Sequence, residues 1–484
     1  MGKRIKSEWS RAIINVMATL ALLCVVLTKL ADLMENKYSD NRFDAFFRQE
    51  EDFDVLFMGT SHVRNGIFPM ELWNQYGIVS YNFGTSGSRL PTTYWIMENA
   101  LDYTVPELIV IDCYYLSSDM KHGNNFSHLY HTLDAFPLSP VKVKTAWDIL
   151  EEERKAGGEE RRVDSRGEKK EPLSLLWNYS IYHTRWNEIG QGDFDPVRKK
   201  EKGAEFITAV ETPAETVKIR AEKKLEGETK GTEYLRKMIE DCQKRGIRVL
   251  LIYLPFPACE NDQMEANRVL EIAEEYQVDY INFLDLDVVD YGTDCFDAAS
   301  HLNVSGGRKV TDYLGEYLSG KCGIPDRRGD SAYSAWYGDY EEYTKVKRDY
   351  LKGQTSLRNY LMLLAGDSLD AVLEVGNTDI FQDSQYVGLL ENLGADREEL
   401  NSDTDFIIIK NGGEQAVVWN GFSGQGIAED AEQLPAEAFS GMRIVIREAG
   451  TGDVVDRVDF EYTLNPQTRK VMEGNAIRGD SGRE

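Results

Sequence analysis

Three short blocks of this chain hold residues suited to nucleophilic chemistry. Ser61 lies in Gly59-Thr60-Ser61-His62, directly after the apolar run 53–58. Its hydroxyl can therefore stand at the carboxyl edge of a parallel sheet, where α/β proteins place their sites. The same position would equally suit a helix cap. In Tyr81-Asn82-Phe83-Gly84-Thr85-Ser86-Gly87-Ser88-Arg89, small residues allow backbone N–H groups to turn toward a developing oxyanion, although an ordinary glycine-rich turn has the same composition. The third block, Cys295-Phe296-Asp297-Ala298-Ala299-Ser300-His301-Leu302-Asn303, offers a histidine with carboxylates in its own loop. A histidine base needs such a carboxylate to fix its tautomer while the ring reaches a distant serine.

The elements that must position these blocks are legible as continuous apolar runs at 53–58, 78–83, 108–111, 248–254 and 279–283. Helical patterns at 93–101, 232–245 and 264–276 separate them. Unbroken rather than alternating apolar strands predict a parallel sheet covered on both faces, and so an α/β class. A charged segment, 142–231, reads as a solvated helical insertion with a flexible loop. Inside it, the aromatic stretch 175–186 is expected to dock on the core. There Tyr182, His183, Arg185 and Trp186 could stack on a sugar face and grip an anionic glycan, or simply plug the insertion onto the sheet.

The 484 residues exceed what one core usually organises. Residues 323–330 read as a linker and 331–464 as a smaller α+β domain, followed by a polar, frayed tail at 465–484. The 82 acidic against 55 basic side chains give a formal charge of -27, which repels phosphate backbones and argues against nucleic-acid binding. Six cysteines without a Cys-x-x-Cys pair or a Cys/His cluster argue against structural zinc, and no cofactor or metal is expected.

The N-terminus is the strongest compositional break. Lys3, Arg4, Lys6 and Arg11 precede a nearly uninterrupted apolar stretch at 12–30, about one bilayer crossing as a helix. The positive-inside bias predicts residues 1–11 in the cytoplasm, an uncleaved signal anchor at 12–30, a stalk at 31–50, and the remainder outside the cell membrane.

Taken together and in this order, the three blocks resemble the SGNH/GDSL hydrolase superfamily over residues 50–322. The resemblance implies a three-layer parallel sheet flanked by helices, here the domain 51–322. It implies Ser61 as nucleophile and oxyanion donor through its backbone, Gly87 as a second backbone donor, and His301 as general base oriented by Asp297. Two departures stand out. The acid of the family pattern lies three residues before the histidine, whereas Asp297 lies four before His301, so Asp294 or another carboxylate could be the partner. The Gly-x-Asn-Asp of the third family block is replaced by Ile111-Asp112-Cys113-Tyr114-Tyr115, without the asparagine that completes the oxyanion hole. His62, Arg64 and Arg89 are candidates to take its place or to bind substrate.

The anchor and the divergent third block are similar to the branch that acylates cell-surface polymers, including the anchored protein of teichoic-acid D-alanylation and the acetyltransferases of alginate export. That likeness implies a cell-envelope polysaccharide substrate and a membrane-bound O-acyltransferase partner that supplies acyl groups. The expected function is an anchored, serine-dependent O-acyltransferase or esterase. The competing reading is a catalytically silent scaffold or glycan-binding protein of the same machinery. The C-terminal segments 358–364, 370–375, 389–395 and 441–446 resemble an interleukin-like EMT inducer domain with its opening hairpin displaced to the end, which implies a β-rich accessory module.

Overall fold

A computed structural model of the chain describes residues 2–35, 41–120, 133, 135–155, 176, 186–187, 189–194, 200–211, 221–297, 301–404, 406–409, 417–419 and 440–478. Strand periodicity sorts the apolar runs onto two faces of one sheet. In β1 (Val55–Met58), Leu56 and Met58 face one core while Val55 and Phe57 face another. The same split holds in β3 (Leu108–Asp112) and β4 (Arg248–Tyr253), with Ile109, Ile111 and Leu251 on the first side and Leu108, Val110, Leu250 and Ile252 on the second. These strands are apolar at every step because both faces are covered. Each fully buried aliphatic side chain contributes about 1.5–3 kcal/mol.

With β2 (Ser80–Asn82) and β5 (Asp279–Asn282), the sheet runs β2-β1-β3-β4-β5, all parallel. Strand β1, which leads into Ser61, is thus internal to the sheet, where its carboxyl end opens onto neighbouring loops on both sides. Helices α4 (Leu90–Ala100) and α6 (Lys230–Lys244) pack on each other against one face, the latter through the stripe Tyr234, Leu235, Met238, Ile239 and Cys242. Between them in sequence lies α5 (Pro140–Lys155). From the same face α7 (Glu260–Tyr276) packs on β4 and β5 through Ala266, Val269, Ile272 and Ala273, while on the other face α2 (Ser61–Gly66) and α3 (Pro69–Tyr76) meet α8 (Val304–Glu316). A short antiparallel hairpin, β6 (Cys295–Phe296) and β7 (His301–Leu302), precedes α8.

N-terminal helix α1 (Gly2–Glu35) contains Trp9–Leu30, which is long and apolar enough to cross a membrane and has none of that surface buried in the protein. Residues 41–48, expected within a stalk, instead enter the sheet domain: Phe43 and Phe46 are buried and stack on Phe83 and Phe53.

A second core is built on an antiparallel sheet of order β10-β9-β8-β11-β12-β13. Its strands are β8 (Leu369–Val375), β9 (Phe406–Ile409), β10 (Val417–Trp419), β11 (Gly441–Glu448), β12 (Val454–Asn465) and β13 (Lys470–Arg478). The expected frayed tail is therefore an edge strand as far as Arg478. It pairs along β12 while leaving most of its side chains in solvent, which is why its apolar signal is weak.

The segment 323–330, read as a linker, is pinned. Arg327 binds Asp54 at 2.7 Å, its N–H donates to the Gly77 carbonyl, and Ile324 is buried. Helix α9 (Ala335–Lys352) then straddles the two cores. Trp336 packs on Trp73, Tyr343 and Lys347 bind Glu71, and Arg348 binds Asp367 and Glu448. Helices α10 (Leu357–Leu364) and α11 (Ser384–Asn392) complete the second domain.

Candidate active site

Thr60 follows β1 by two residues and caps α2, its hydroxyl accepting the His62 N–H at 3.2 Å. This cap turns the chain sharply, so Ser61 is the first helical residue and its hydroxyl stands above the sheet edge. The Ser61 Oγ lies 2.7 Å from His301 Nε2. On the other side of the ring, Nδ1 lies 3.0 Å from Asp297 Oδ2 and 3.2 Å from Oδ1. A carboxylate can only accept, so Nδ1 carries the proton and Nε2 is left to accept from the serine hydroxyl.

The third block folds to make this possible. Phe296 pairs with His301 across the β6–β7 hairpin, and Asn303 caps α8 by accepting the Gly306 N–H while donating to the Thr293 carbonyl. Asp294, the alternative acid, is fully buried and turned away. It holds Lys309 at 2.7 Å and the Ser305 hydroxyl at 2.8 Å. The second domain braces the back of this loop: Asn392 reaches Thr293, Lys309 reaches Asn392, and Gln385 donates to the Gly292 carbonyl.

The glycine-rich block lies against the turn that carries Ser61, with Thr85 N–H donating to the Gly59 carbonyl. A side chain at Gly84 would sit 2.3 Å from the Arg64 nitrogen and 2.7 Å from the Thr60 oxygen, so only glycine permits this approach. Gly87 has φ 64°, a left-handed conformation glycine adopts without strain. Neither the Ser61 nor the Gly87 N–H has an acceptor among the described residues.

The remaining candidates separate by environment. His62 is buried edge-on to His301 (5.1 Å between ring centres) and against Tyr114 and Phe256. Burial, with His301 adding to it, pushes its pKa down to about 3, so the ring is neutral and can neither donate a charge nor serve as a rival base. Arg64 is committed to Glu205 at 3.0 Å and to the Ser86 hydroxyl at 2.7 Å. Arg89 lies over the Tyr115 ring, 3.4 Å from its centre, and its Nε is buried without a hydrogen-bond partner. No carboxylate among the described residues pairs with it. Trp186 is 70 % exposed, and His183 and Arg185 lie outside the described residues.

Sequence reasoning missed two parts of the site. Tyr114 and Tyr115, in the turn after β3, form with His62 and Phe256 an aromatic wall beside His301, and Tyr115 takes an uncommon φ of 70°. Residues 200–211, inside the segment read as a flexible insertion, run across the site as a strap. Lys202 accepts from Asn82 N–H, Glu205 N–H donates to the Arg64 carbonyl while its own carbonyl accepts from the Asn65 side-chain amide, Ile207 accepts from Val304 N–H, and Glu211 donates to the Cys295 carbonyl. The paired tyrosines were the only available signal for the first, and nothing in composition marked the second.

Comparison of the chain with protein-family models, with curated proteins and with solved structures finds no match.

Proposed function

We propose that this protein is a serine-dependent O-acyltransferase or esterase of cell-envelope polysaccharide, built on an SGNH-type site and held at the outer face of a membrane by α1. The observation that supports the reading is the hydrogen-bonded series Ser61, His301, Asp297 at the carboxyl edge of a parallel sheet. In the reaction, Ser61 Oγ attacks the carbonyl carbon of an acyl ester as His301 Nε2 takes the hydroxyl proton. The tetrahedral oxyanion is met by the N–H groups of Ser61 and Gly87. Collapse expels the donor alcohol, which takes the proton from His301, and leaves acyl-Ser61. A glycan hydroxyl deprotonated by the same histidine then attacks the acyl carbon, and collapse of this second intermediate expels Ser61 Oγ, which takes the proton back from His301; water in place of the glycan hydroxyl gives hydrolysis.

Arg89 supports an anionic acceptor. Stacking occupies one face of its guanidinium and leaves edge N–H groups for a carboxylate or phosphate on the polymer, in a chain whose overall charge is -27. A membrane-bound O-acyltransferase would supply the acyl donor.

The test uses full-length protein in detergent, comparing wild type with Ser61→Ala for acetate release from a chromogenic ester, acyl transfer to added oligosaccharide, and covalent labelling by a fluorophosphonate. Serine-dependent turnover and labelling are expected. A folded wild type that neither turns over nor labels would point to the non-catalytic scaffold instead.

A further inference from the structure

The apolar stretch Trp9–Leu30 of α1 rises about 33 Å as a helix, enough to cross the hydrocarbon layer of a bilayer once. Among the described side chains of α1, Leu27, Leu30 and Leu33 alone are partly covered, and their spacing sets them on one face of its last turns. A four-residue helix, Gln191–Phe194, meets α1. The covered stripe sets that meeting at the Leu30 end of the span. A residue packed beside the last turns of a spanning helix stands at the depth of the lipid headgroups.

The surface presented there suits that depth. Phe194 is 68 % exposed and Trp186, eight residues earlier, is 70 % exposed. Aromatic rings of this kind are favoured where one side of a protein is apolar and the other wet, as at a membrane interface. Asp193, the one charged residue described between them, is fully buried and accepts the Gly190 N–H at 2.8 Å. In a chain of net charge -27, the described residues of this stretch therefore set no exposed carboxylate against lipid phosphates.

The same corner is tied to the candidate site. Arg42, seven residues beyond α1, donates to the Gly84 carbonyl at 2.9 Å and to the Gly203 carbonyl at 3.2 Å. Gly84 packs on the turn that carries Ser61, and Gly203 belongs to the strap 200–211. Both lie at the carboxyl edge of the sheet. The amino edge, where Val105 N–H donates to Asp52 shortly before β3, is about 16 Å away along that strand.

We propose that Phe194 and Trp186 seat the sheet domain in the lipid leaflet at the Leu30 end of α1, with the carboxyl edge turned toward the bilayer, so that Ser61 faces the membrane surface. The seat rests on the reading of α1 as a membrane anchor given above. Its partner is the lipid surface, because α1 itself carries the helix Gln191–Phe194 to headgroup depth whether or not another chain is present.

Full-length protein with benzoylphenylalanine in place of Phe194 is reconstituted into phosphatidylcholine vesicles and irradiated, and adducts are read by protein mass. The same photoprobe at Val105, 67 % exposed at the amino edge, serves as the comparison. A phospholipid adduct at 194 and none at 105 is expected. An adduct at both positions would overturn the orientation, and no lipid adduct at 194 would overturn the seat. A covalent dimer through 194 instead of lipid would assign the surface to a second copy. The share of emission removed by Trp186→Phe should be quenched when the lipids are brominated high on the acyl chain; an unquenched share would place Trp186 in water and remove it from the seat. Protein that does not float with the vesicles would overturn the anchor reading and the seat with it. Fluorophosphonate labelling of Ser61 is scored separately: lipid capture at 194 in protein that does not label would uphold the seat and overturn only the serine reading.

Discussion

Asp297 takes a left-handed backbone conformation, φ 65°, four residues before His301, and presents both carboxylate oxygens to that ring's Nδ1. The turn supplies what the longer spacing seemed to forbid. A left-handed residue at the end of β6 redirects the side chain back across the hairpin, toward the histidine paired with its neighbour Phe296. Aspartate and asparagine tolerate this region better than other non-glycine residues.

That tolerance makes Asp297→Asn a clean test of charge alone. The backbone should be undisturbed, while the amide can offer an N–H to Nδ1 and favour the wrong tautomer. Turnover is expected to fall by about 10²–10⁴-fold with fluorophosphonate labelling slowed in parallel. Steady-state kinetics with a chromogenic ester, alongside circular dichroism to verify the fold, would measure it.

His62 is predicted to contribute to packing rather than to the titration of activity. Because its folded pKa is depressed to about 3 while the unfolded chain binds a proton near 6.5, stability from the neutral ring is present above about pH 6.5 and is lost as pH falls toward 3. His62→Phe should keep the aromatic wall and the shape of the pH–rate profile. It should also lose less stability than wild type between pH 6.5 and pH 4, as read by thermal melts across that range.

Arg89→Gln is expected to raise KM for an acidic oligosaccharide acceptor by about tenfold or more, corresponding to loss of one charge-assisted contact. Transfer to a neutral oligosaccharide should change less. Equal losses on both acceptors would assign Arg89 to holding the Tyr115 turn instead.

The contact between the two cores is predicted to be acid-labile. Glu71 is buried, which raises its pKa, but Lys347 and Arg308 more than offset this and hold it below the usual range; Lys347 and Arg348 do the same for buried Asp367. Both carboxylates therefore stabilise above the ordinary carboxylate pKa, and that stability is lost as pH falls through their lowered values. Glu71→Gln at pH 7 leaves Lys347 without its closest partner and should cost about 3 kcal/mol in urea denaturation.

Much of the sheet domain was legible because its strands are buried on both faces and so read as unbroken apolar runs, such as Leu108-Ile109-Val110-Ile111. Helix α6 was legible through its apolar stripe, with a Thr229 cap that set its start two residues before the expected position. The edge strand β13 was not, since half its pairing and most of its surface lie open to water. In the site, Ser61 stood out by its position after a strand and His301 by the carboxylates in its own loop, and the fold brings the two side chains to 2.7 Å. The environments of His62, Arg64 and Arg89 were not, because each depends on partners far along the chain, such as Glu205 and Tyr115. Left-handed residues at Tyr115 and Asp297 carry no composition signal at all.

The short interval between α1 and the sheet domain has its own consequence. Helix α1 ends at Glu35, and by Arg42 the chain is already fastened into the sheet domain through the Gly84 and Gly203 carbonyls. The seven Cα–Cα steps from Glu35 to Arg42 span at most about 25 Å. With α1 embedded in a bilayer, the domain could not roam through a thick envelope in search of work. It would sweep a thin shell beside the lipid, and under the function proposed above a long polymer would be modified only along the stretch that passes through that shell, as on a bench beside the point where the chain emerges.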